Sequence, residues 1–280
     1  MDRDDAGSAP GLDGLTAAEL IASRQGWWDE AFTSLLVRRA PAGAATLVDV
    51  GCGVATAAHA LLPRLPQARY VGVDADEERL RQARQLVEGT AYADRVDLRP
   101  GRAEHLPCAD AEAALVLSSM TLQHLADPRA AIVEIARVLA PGGSFVAVEP
   151  DNTNNLLYFD GPLAEVTAAL RALFEERRRH LRPADLAVGP AVARLVEQER
   201  LEVVEFFPYA LGRARKLTAA DFFQRARQGV DRAAAALPPG TPAVQACSEA
   251  LARAESEIGR AVAGYGCQLT PVFVCVARKA

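Results

Sequence analysis

The stretch Thr46-Leu-Val-Asp-Val-Gly-Cys-Gly-Val-Ala-Thr56 decides how this chain folds. Leu47 to Val50 is a short apolar run, typical of a strand that is buried on both faces of a parallel sheet. Gly51 and Gly53 predict a sharp turn, and Val54 to Leu62 can continue as a helix. Strand, glycine turn and helix form the unit in which a nucleotide-like ligand lies against backbone N–H groups. We expect a side chain at either glycine to block that approach.

The next predicted strand, Arg69 to Asp74, ends in an acidic residue. In a doubly wound sheet this position lies beside the glycine turn, at the carboxyl edge where ligands bind. A carboxylate there can accept both hydroxyl groups of a ribose, so the pattern predicts a nucleoside ligand. The alternative is an acid that begins a helix, but Asp76 already provides one.

The composition is ordinary for a globular protein, with 50% hydrophobic and 24% charged residues. A net charge of −5 argues against a protein whose main task is to hold nucleic acid. No apolar run approaches the length of a membrane span, and the N-terminus lacks the apolar core of a signal peptide. The five cysteines show no metal-binding spacing, so we expect reduced thiols, no metal site and a cytoplasmic protein.

Two common nucleotide motifs are absent from the sequence. Thr56 occupies the third glycine position of a dinucleotide-binding turn, and no Gly-x-x-x-x-Gly-Lys-Ser/Thr phosphate loop occurs. Five segments in order carry a more specific signal: Val48-Asp-Val-Gly-Cys-Gly53, Gly72-Val-Asp74, Gly101-Arg-Ala-Glu-His-Leu-Pro107, Val116-Leu-Ser-Ser-Met-Thr-Leu-Gln-His-Leu125 and Leu139-Ala-Pro-Gly-Gly-Ser144. Together they resemble the class I S-adenosylmethionine-dependent methyltransferases, particularly the small-molecule branch of the type 11/25 kind.

The alternation of strands and helices up to residue 149 itself predicts right-handed βαβ units and a parallel sheet. The resemblance implies an α/β, doubly wound, mostly parallel seven-stranded sheet of Rossmann-like type. Its last strand, 272–277, inserts antiparallel beside the sixth, 201–207. The predicted divisions are an N-terminal helical segment (1–40), the S-adenosylmethionine-binding core (41–150), a cap insertion (151–188), a continuation of the core (189–215), a helical cap insertion (216–264) and the terminal antiparallel strand (265–280).

The same resemblance implies S-adenosylmethionine as the cofactor and assigns its contacts by position. By position, the residues that line the methionine moiety of the cofactor are Asp49, Gly51, Cys52 and Gly53. Asp74 holds the ribose hydroxyls, and the adenine side is formed by Ala75, Ala103 and Glu104. Ser118 and Met120 close over the sulfonium, and Arg24 and Arg102 complete the predicted cofactor contacts. Ala55 and Arg102 depart from the family pattern, which often has a glycine and an acid at these positions.

Methyl transfer from a sulfonium needs no metal, because the donor is already activated and alignment of the acceptor supplies much of the rate. A base matters when the acceptor arrives protonated. His124, which follows the fourth strand, is the candidate base or substrate orienter; the alternative is a histidine that hydrogen-bonds a loop carbonyl. The predicted substrate contacts are Gln123, Glu149, Asn152 and Tyr158. Glu149 and Asn152 fit equally well as caps of the next helix.

The charge run around Arg177 to Arg179 also has two interpretations. These side chains could bind an anionic group, but a solvated helix face is favoured. The two cap segments are longer than simple connections, so we expect them to enclose the acceptor and exclude water.

The sequence thus predicts a methyltransferase acting on an oxygen or nitrogen of a small molecule, with an intermediate of bacterial secondary metabolism as the expected acceptor. The alternatives are a protein or peptide methyltransferase and a non-catalytic S-adenosylmethionine-binding regulatory protein. After the fourth strand the chain reads Ser-Ser-Met-Thr, where methyltransferases of nucleic-acid bases or glutamine have an Asn-Pro-Pro-Tyr-like segment. The expected partner is a small-molecule acceptor, with no nucleic acid and no membrane; a homodimer is left open.

Overall fold

The structure, a computed structural model, describes residues 30–39, 45–180, 185, 187–211 and 214–280. The chain divides into two compact units. The sheet unit contains the described residues up to 151, those between 185 and 211, and residues 271–280. The helical unit contains residues 152–180 and 214–270. Arg24 and most of the predicted N-terminal helical segment lie outside the described residues.

Five strands form the parallel part of the sheet unit. They are β1 (Thr46–Val50), β2 (Arg69–Asp74), β3 (Val96–Pro100), β4 (Ala113–Ser119) and β5 (Leu139–Pro150). Their spatial order is β3-β2-β1-β4-β5, and each neighbouring pair is parallel. The carboxyl ends of β1, β2 and β4 therefore meet at one edge, on either side of the point where the order reverses.

Helices cover both faces of this sheet because alternate strand residues point to opposite faces. The helices are α1 (Glu30–Val37), α2 (Thr56–Leu61), α3 (Glu77–Val87) and α4 (Pro128–Val138). Leu47 packs into one buried cluster with Leu80 of α3, whereas Val48 and Val50 pack into another with Ile132 of α4. The apolar run in the sequence is thus a strand buried on both faces, as predicted.

Two later strands complete the sheet unit. The chain continues from β6 (Leu156–Phe159) and α5 (Ala164–His180) through α6 (Val192–Gln198) to β7 (Leu201–Leu211). β8 (Arg215–Thr218), α7 (Ala219–Ala234) and α8 (Pro242–Ile258) precede β9 (Ala263–Lys279). Residues 272–278 of β9 pair antiparallel with β5, and β7 pairs with β9. Counted over the described residues, the sheet unit has seven strands and confirms the predicted doubly wound α/β fold.

The helical unit is less purely helical than the sequence suggests. β6 and β8 both pair antiparallel with residues 263–269 of β9. Leu157 and Phe159 of β6 are buried in a core that α5, α7 and α8 complete, with Leu173, Phe223 and Leu251 among its members. The terminal strand was therefore predicted too short, because its first half lies outside the apolar run that identifies it.

Across the described residues, no helix combines the length and the apolar composition that crossing a membrane requires.

Candidate functional site

The glycine turn after β1 is fixed by the strand beside it. The backbone N–H groups of Gly51 and Cys52 both donate to the carbonyl oxygen of Val73, at 2.8 and 3.0 Å. Gly51 and Gly53 have φ angles of +72° and +55°, a region that favours glycine. Ala55 also has a positive φ, +58°, so an alanine occupies a left-handed position where the family pattern has glycine.

Gly51 is required for a reason that the sequence does not reveal. A Cβ atom built on it would lie 2.2 Å from Oγ1 of Thr121, which is far inside van der Waals contact. Thr121 follows β4, so the turn after β1 and the turn after β4 touch at this point. The glycine therefore makes room for another part of the chain, whether or not a ligand approaches.

Asp74 is held at the end of β2 by two backbone donors. Its Oδ2 accepts from the N–H of Gly53 at 2.7 Å, and its Oδ1 accepts from the N–H of Asp76 at 2.9 Å. Each carboxylate oxygen can accept a second hydrogen bond, so acceptor capacity remains. Asp76 is the N-cap of α3 and accepts hydrogen bonds from the N–H groups of Glu78 and Arg79. Asp74 is therefore not needed as the cap of this helix.

Beneath the turn lies a buried polar pair that the sequence analysis missed. The hydroxyl of Tyr70 donates to Oδ2 of Asp49 at 2.6 Å, and both residues are buried. A tyrosine in an apolar strand needs a partner for its hydroxyl, and the aspartate in the neighbouring strand was the available signal. Asp49 is thereby oriented below the glycine turn.

Cys52 contributes its backbone to the turn and its side chain to the core. The position of a Cβ on Gly72 would lie 2.9 Å from the sulfur atom, so the thiol packs against the backbone of β2. Burial raises the pKa of the Cys52 thiol well above its usual value, and the charges of Asp49 and Asp74 raise it further. The thiol stays protonated and unreactive.

The turn after β3 carries the residues predicted to edge an adenine. Ala103 is buried and Ala75, after β2, is exposed. Arg102 is largely exposed and reaches Oε1 of Glu104 at 3.4 Å. The other carboxylate oxygen of Glu104 is buried and has no hydrogen-bond partner among the described residues. The hydroxyl of Thr56, at the start of α2, is also buried without a hydrogen-bond partner among the described residues.

Glu149, at the end of β5, organises the turn that follows β4. Its Oε1 accepts from the N–H groups of Thr121 and Leu122 at 3.0 and 2.9 Å, and from the hydroxyl of Ser118 at 3.4 Å. The N–H of Gln123 lies 3.4 Å from its Oε2. Glu149 is 0% exposed, so the structure favours a positioning role over the predicted direct contact with substrate.

The remaining residues of this turn are arranged around the same carboxylate. Met120 has a positive φ of +59°, and its N–H donates to the carbonyl of Val148 at 2.8 Å. Gln123 is buried and donates from Nε2 to the carbonyl of Met120 at 3.2 Å. His124 ends the short 3-10 helix Leu122–His124, and its side chain is exposed. His124 is therefore exposed at the end of a turn whose backbone is held by hydrogen bonds to Glu149.

Comparison with known proteins agrees with this geometry. A family model described as a methyltransferase domain matches residues 48–147, which include β1, β2, β4 and the turns after them. Residues 48–147 therefore form a methyltransferase domain, of the class I S-adenosylmethionine-dependent kind. S-adenosylmethionine is the cofactor that such a domain uses.

Curated relatives of this methyltransferase domain share only part of their length with the chain. The trans-aconitate 2-methyltransferase of Azoarcus sp. (strain BH72) is 35% identical over 144 residues, which cover 50% of this chain and 54% of that protein. The malonyl-[acyl-carrier protein] O-methyltransferase of Hahella chejuensis is 35% identical over 132 residues, covering 46% and 43%. The chain thus spans about half the length of these relatives.

Solved structures share the fold over most of the chain. The geranyl diphosphate C-methyltransferase of Streptomyces coelicolor A3(2) has a TM-score of 0.53 at 16% identity, covering 100% of this chain and 88% of that one. The [4+2]-cyclase SpnF has a TM-score of 0.50 at 19% identity, covering 89% and 80%. One is named as a methyltransferase and the other as a cyclase, so the likeness establishes the fold alone.

The free hydrogen-bonding capacity of the methyltransferase domain fits S-adenosylmethionine. The ribose hydroxyls and the adenine amino group are donors that need acceptors. Asp74 has spare acceptor capacity, and the buried Oε2 of Glu104 has no partner among the described residues. Buried polar atoms are normally paired, so an unpaired one beside a predicted ligand contact agrees with a ligand at that position.

Three predicted site residues lie outside the described part of the sheet unit. Arg24 lies outside the described residues. Asn152 and Tyr158 belong to the helical unit, where Asn152 begins the 3-10 helix Asn152–Asn154. Tyr158 is half-buried in β6 and lines a cavity of about 370 Å³ with Thr167 and Arg171. Their contact with a substrate stays a prediction, as does the role of the helical segments as a cap.

Proposed function

We propose that the protein transfers the methyl group of S-adenosylmethionine to an oxygen or nitrogen of a small molecule. The observation that carries this proposal is the preformed link between the glycine turn and Asp74, in which Gly53 donates to the carboxylate at 2.7 Å. This hydrogen bond holds the acidic side chain against the backbone of the turn. When bound, the cofactor supplies an activated methyl group, and the chain supplies its orientation.

Each part of the site has a role in this proposal. Asp74 would accept the ribose hydroxyls, and Ala75, Ala103 and Glu104 would border the adenine. Around the methionine moiety the proposed contacts are Asp49, Gly51, Cys52 and Gly53, of which Asp49 and Cys52 would act through backbone or polar positioning, since both side chains are buried. Arg102 is exposed. It would place a cation at the edge of the adenine site, where the family pattern often has an acid.

The turn after β4 is the proposed catalytic element. Glu149 accepts hydrogen bonds from the Ser118 hydroxyl and the Gln123 N–H, and Met120 lies between these two residues in the chain. His124 follows at the surface. His124 would orient the acceptor and take its proton where the acceptor arrives protonated, since an imidazole nitrogen can act as a general base. A turn fixed by three backbone hydrogen bonds is the kind of support that such alignment requires.

Relatives suggest which acceptors to test first. The names trans-aconitate 2-methyltransferase and malonyl-[acyl-carrier protein] O-methyltransferase both denote methylation of acidic carbonyl compounds. We therefore propose small carboxylic acids as the first acceptor class, with phenols and amines of bacterial secondary metabolism as the second.

The test is methyl transfer by the purified full chain. It would be incubated with S-adenosylmethionine and each acceptor class in turn, and products would be identified by mass spectrometry. We expect one class to gain a methyl group at a rate above the enzyme-free control. Cofactor binding with no transfer to any small molecule, but with transfer to peptides, would instead support a protein or peptide methyltransferase.

A further inference from the structure

Arg177 lies on the buried row of α5 in the helical unit. Val166, Leu170 and Leu173 are buried at 1%, 6% and 0% exposure and follow one another at helical spacing. Arg177 comes four residues after Leu173 and so continues the same row. A guanidinium on this row is out of place unless something pairs with it.

The two arginines that follow behave differently. Arg178 pairs with Glu175 at 4.0 Å, and Arg179 pairs with Glu176, each one turn back along the helix. Arg179 is 67% exposed and forms an ordinary surface pair. The predicted solvated helix face therefore describes Arg178 and Arg179 but leaves Arg177 unexplained.

Arg177 has no counter-charge in the part of the chain that the structure describes. Its Nε atom is buried without a hydrogen-bond partner, and no described carboxylate oxygen lies within 4.0 Å of its guanidinium. Burial lowers the pKa of Arg177 for the same reason: the charged form has lost water and gained no partner. The position near the C-terminal end of α5 favours a cation, but the helix dipole provides no acceptor for the Nε–H group.

We propose that the helical unit binds an oxyanionic group, a carboxylate or a phosphate, at Arg177. A guanidinium presents Nε–H and Nη–H as parallel donors, which match two oxygen atoms of such a group. The side chain as a whole is only half-buried, so an anion can approach the guanidinium from solvent although the Nε atom itself is covered.

The experiment follows thermal unfolding of the full chain without S-adenosylmethionine, at constant ionic strength. Malonate is the carboxylate probe, inorganic phosphate is the phosphate probe, and chloride is the reference salt. We expect the Tm to rise by about 3 °C when the preferred anion is present at roughly ten times its Kd. Which of the two anions acts decides between a carboxylate and a phosphate ligand.

The variants Arg177→Met and Arg179→Met separate a specific site from a general salt effect. Arg177→Met should unfold at the same temperature as the wild type or higher in chloride, because an uncompensated cation is removed. It should lose the response to the anion, whereas Arg179→Met should keep it. A response in Arg177→Met equal to that of the wild type, or no response of the wild type to either anion, would overturn the proposal.

A second measurement does not depend on the folding of Arg177→Met. In ¹⁵N NMR spectra of the wild type, the Nε–H signal of Arg177, assigned by its absence in Arg177→Lys, should move as the anion is added. An unmoved signal at saturating anion would also overturn the proposal. S-adenosylmethionine binding, measured by calorimetry on the same samples, is independent: its absence together with an intact anion response counts against the proposed function alone.

Discussion

At the scale of single residues, two opposing effects set the pKa of Glu149. Complete burial raises the pKa of Glu149 to about 7, although the backbone N–H groups of residues 121–123 and the Ser118 hydroxyl lower it. An unfolded glutamate titrates at about 4.5. Because the folded protein holds the proton more tightly, Glu149 contributes stability that is complete below pH 4.5 and is lost as the pH rises to about 7.

Replacement of Glu149 by glutamine should remove this pH dependence. The amide retains an oxygen for the N–H groups of Thr121 and Leu122 and carries no charge to bury. We expect the free energy of unfolding of the wild type to fall by about 3 kcal/mol between pH 4.5 and pH 7.5 because of this group, and that component to vanish in Glu149→Gln. Urea unfolding at several pH values measures it. The exposed Glu257→Gln is the control, and an unchanged slope in Glu149→Gln would contradict the account.

Gly51 offers a second test at this scale, because it can be matched with another glycine. Gly51→Ala should lower the free energy of unfolding by about 3 kcal/mol, since the new methyl group meets Thr121 and the φ is positive. Gly142 has nearly the same φ, +73°, but nothing lies within 4 Å of its added Cβ. Gly142→Ala should therefore cost only about 1 kcal/mol. Equal losses in the two variants would mean that the contact with Thr121 is unimportant.

The sequence predicted which residues form the glycine turn, but not the contact with Thr121 that also requires Gly51. The position of Asp74 follows from a short strand that ends in an acid, and the structure ties it to Gly53. Nothing local in the sequence shows that Thr121 touches Gly51, because that contact joins two turns through the order of the strands. The hydrogen bonds of Glu149 were not predicted for the same reason: their donors lie on the turn after another strand.

At the scale of elements, α4 holds the loop that follows β3. Arg137 of α4 donates to the carbonyl oxygens of Leu106 and Cys108 at 3.1 and 2.9 Å. Its ion pair with Glu134 orients that carboxylate, which accepts from the N–H of Leu106 at 2.9 Å. The loop that carries Ala103 and Glu104 is thus attached to the helix through one guanidinium.

Arg137→Met should therefore loosen this loop. We expect a loss of about 2 kcal/mol in the free energy of unfolding, because several hydrogen bonds to a charged group are removed together. Hydrogen exchange should become faster in residues 102–110 and stay unchanged in α3. The exposed Arg81→Met, which removes a pair with Glu78 within α3, should leave the free energy of unfolding almost unchanged. Unchanged exchange in the loop would show that other contacts hold it.

The strands of the helical unit were missed because their partners are distant in sequence. β6 is four residues long and pairs with residues 266–269. Glycines are uncommon in strands, yet Gly266 is needed there: a Cβ on it would lie 2.6 Å from the ring of Phe222. Strand formation here depends on tertiary packing, which local propensity does not report.

At the scale of the whole molecule, the chain consists of two compact units with separate cores. The sheet unit contains the matched methyltransferase domain, and its fold could be predicted because strands and helices alternate at short intervals. The helical unit falls outside that match and carries the unpaired Arg177. The sequence match to the family therefore concerns the sheet unit alone.

Calorimetric titration of the full chain with S-adenosylhomocysteine tests whether the turn after β1 and Asp74 together form an S-adenosylmethionine site. We predict binding of one molecule per chain to the wild type. Asp74→Ala should weaken it by at least about 100-fold, since hydrogen bonds to a charged acceptor are lost. Asp76→Ala, which removes only the cap of α3, should bind as the wild type does. Absence of binding by the folded wild type, or equal binding by Asp74→Ala, would contradict the account.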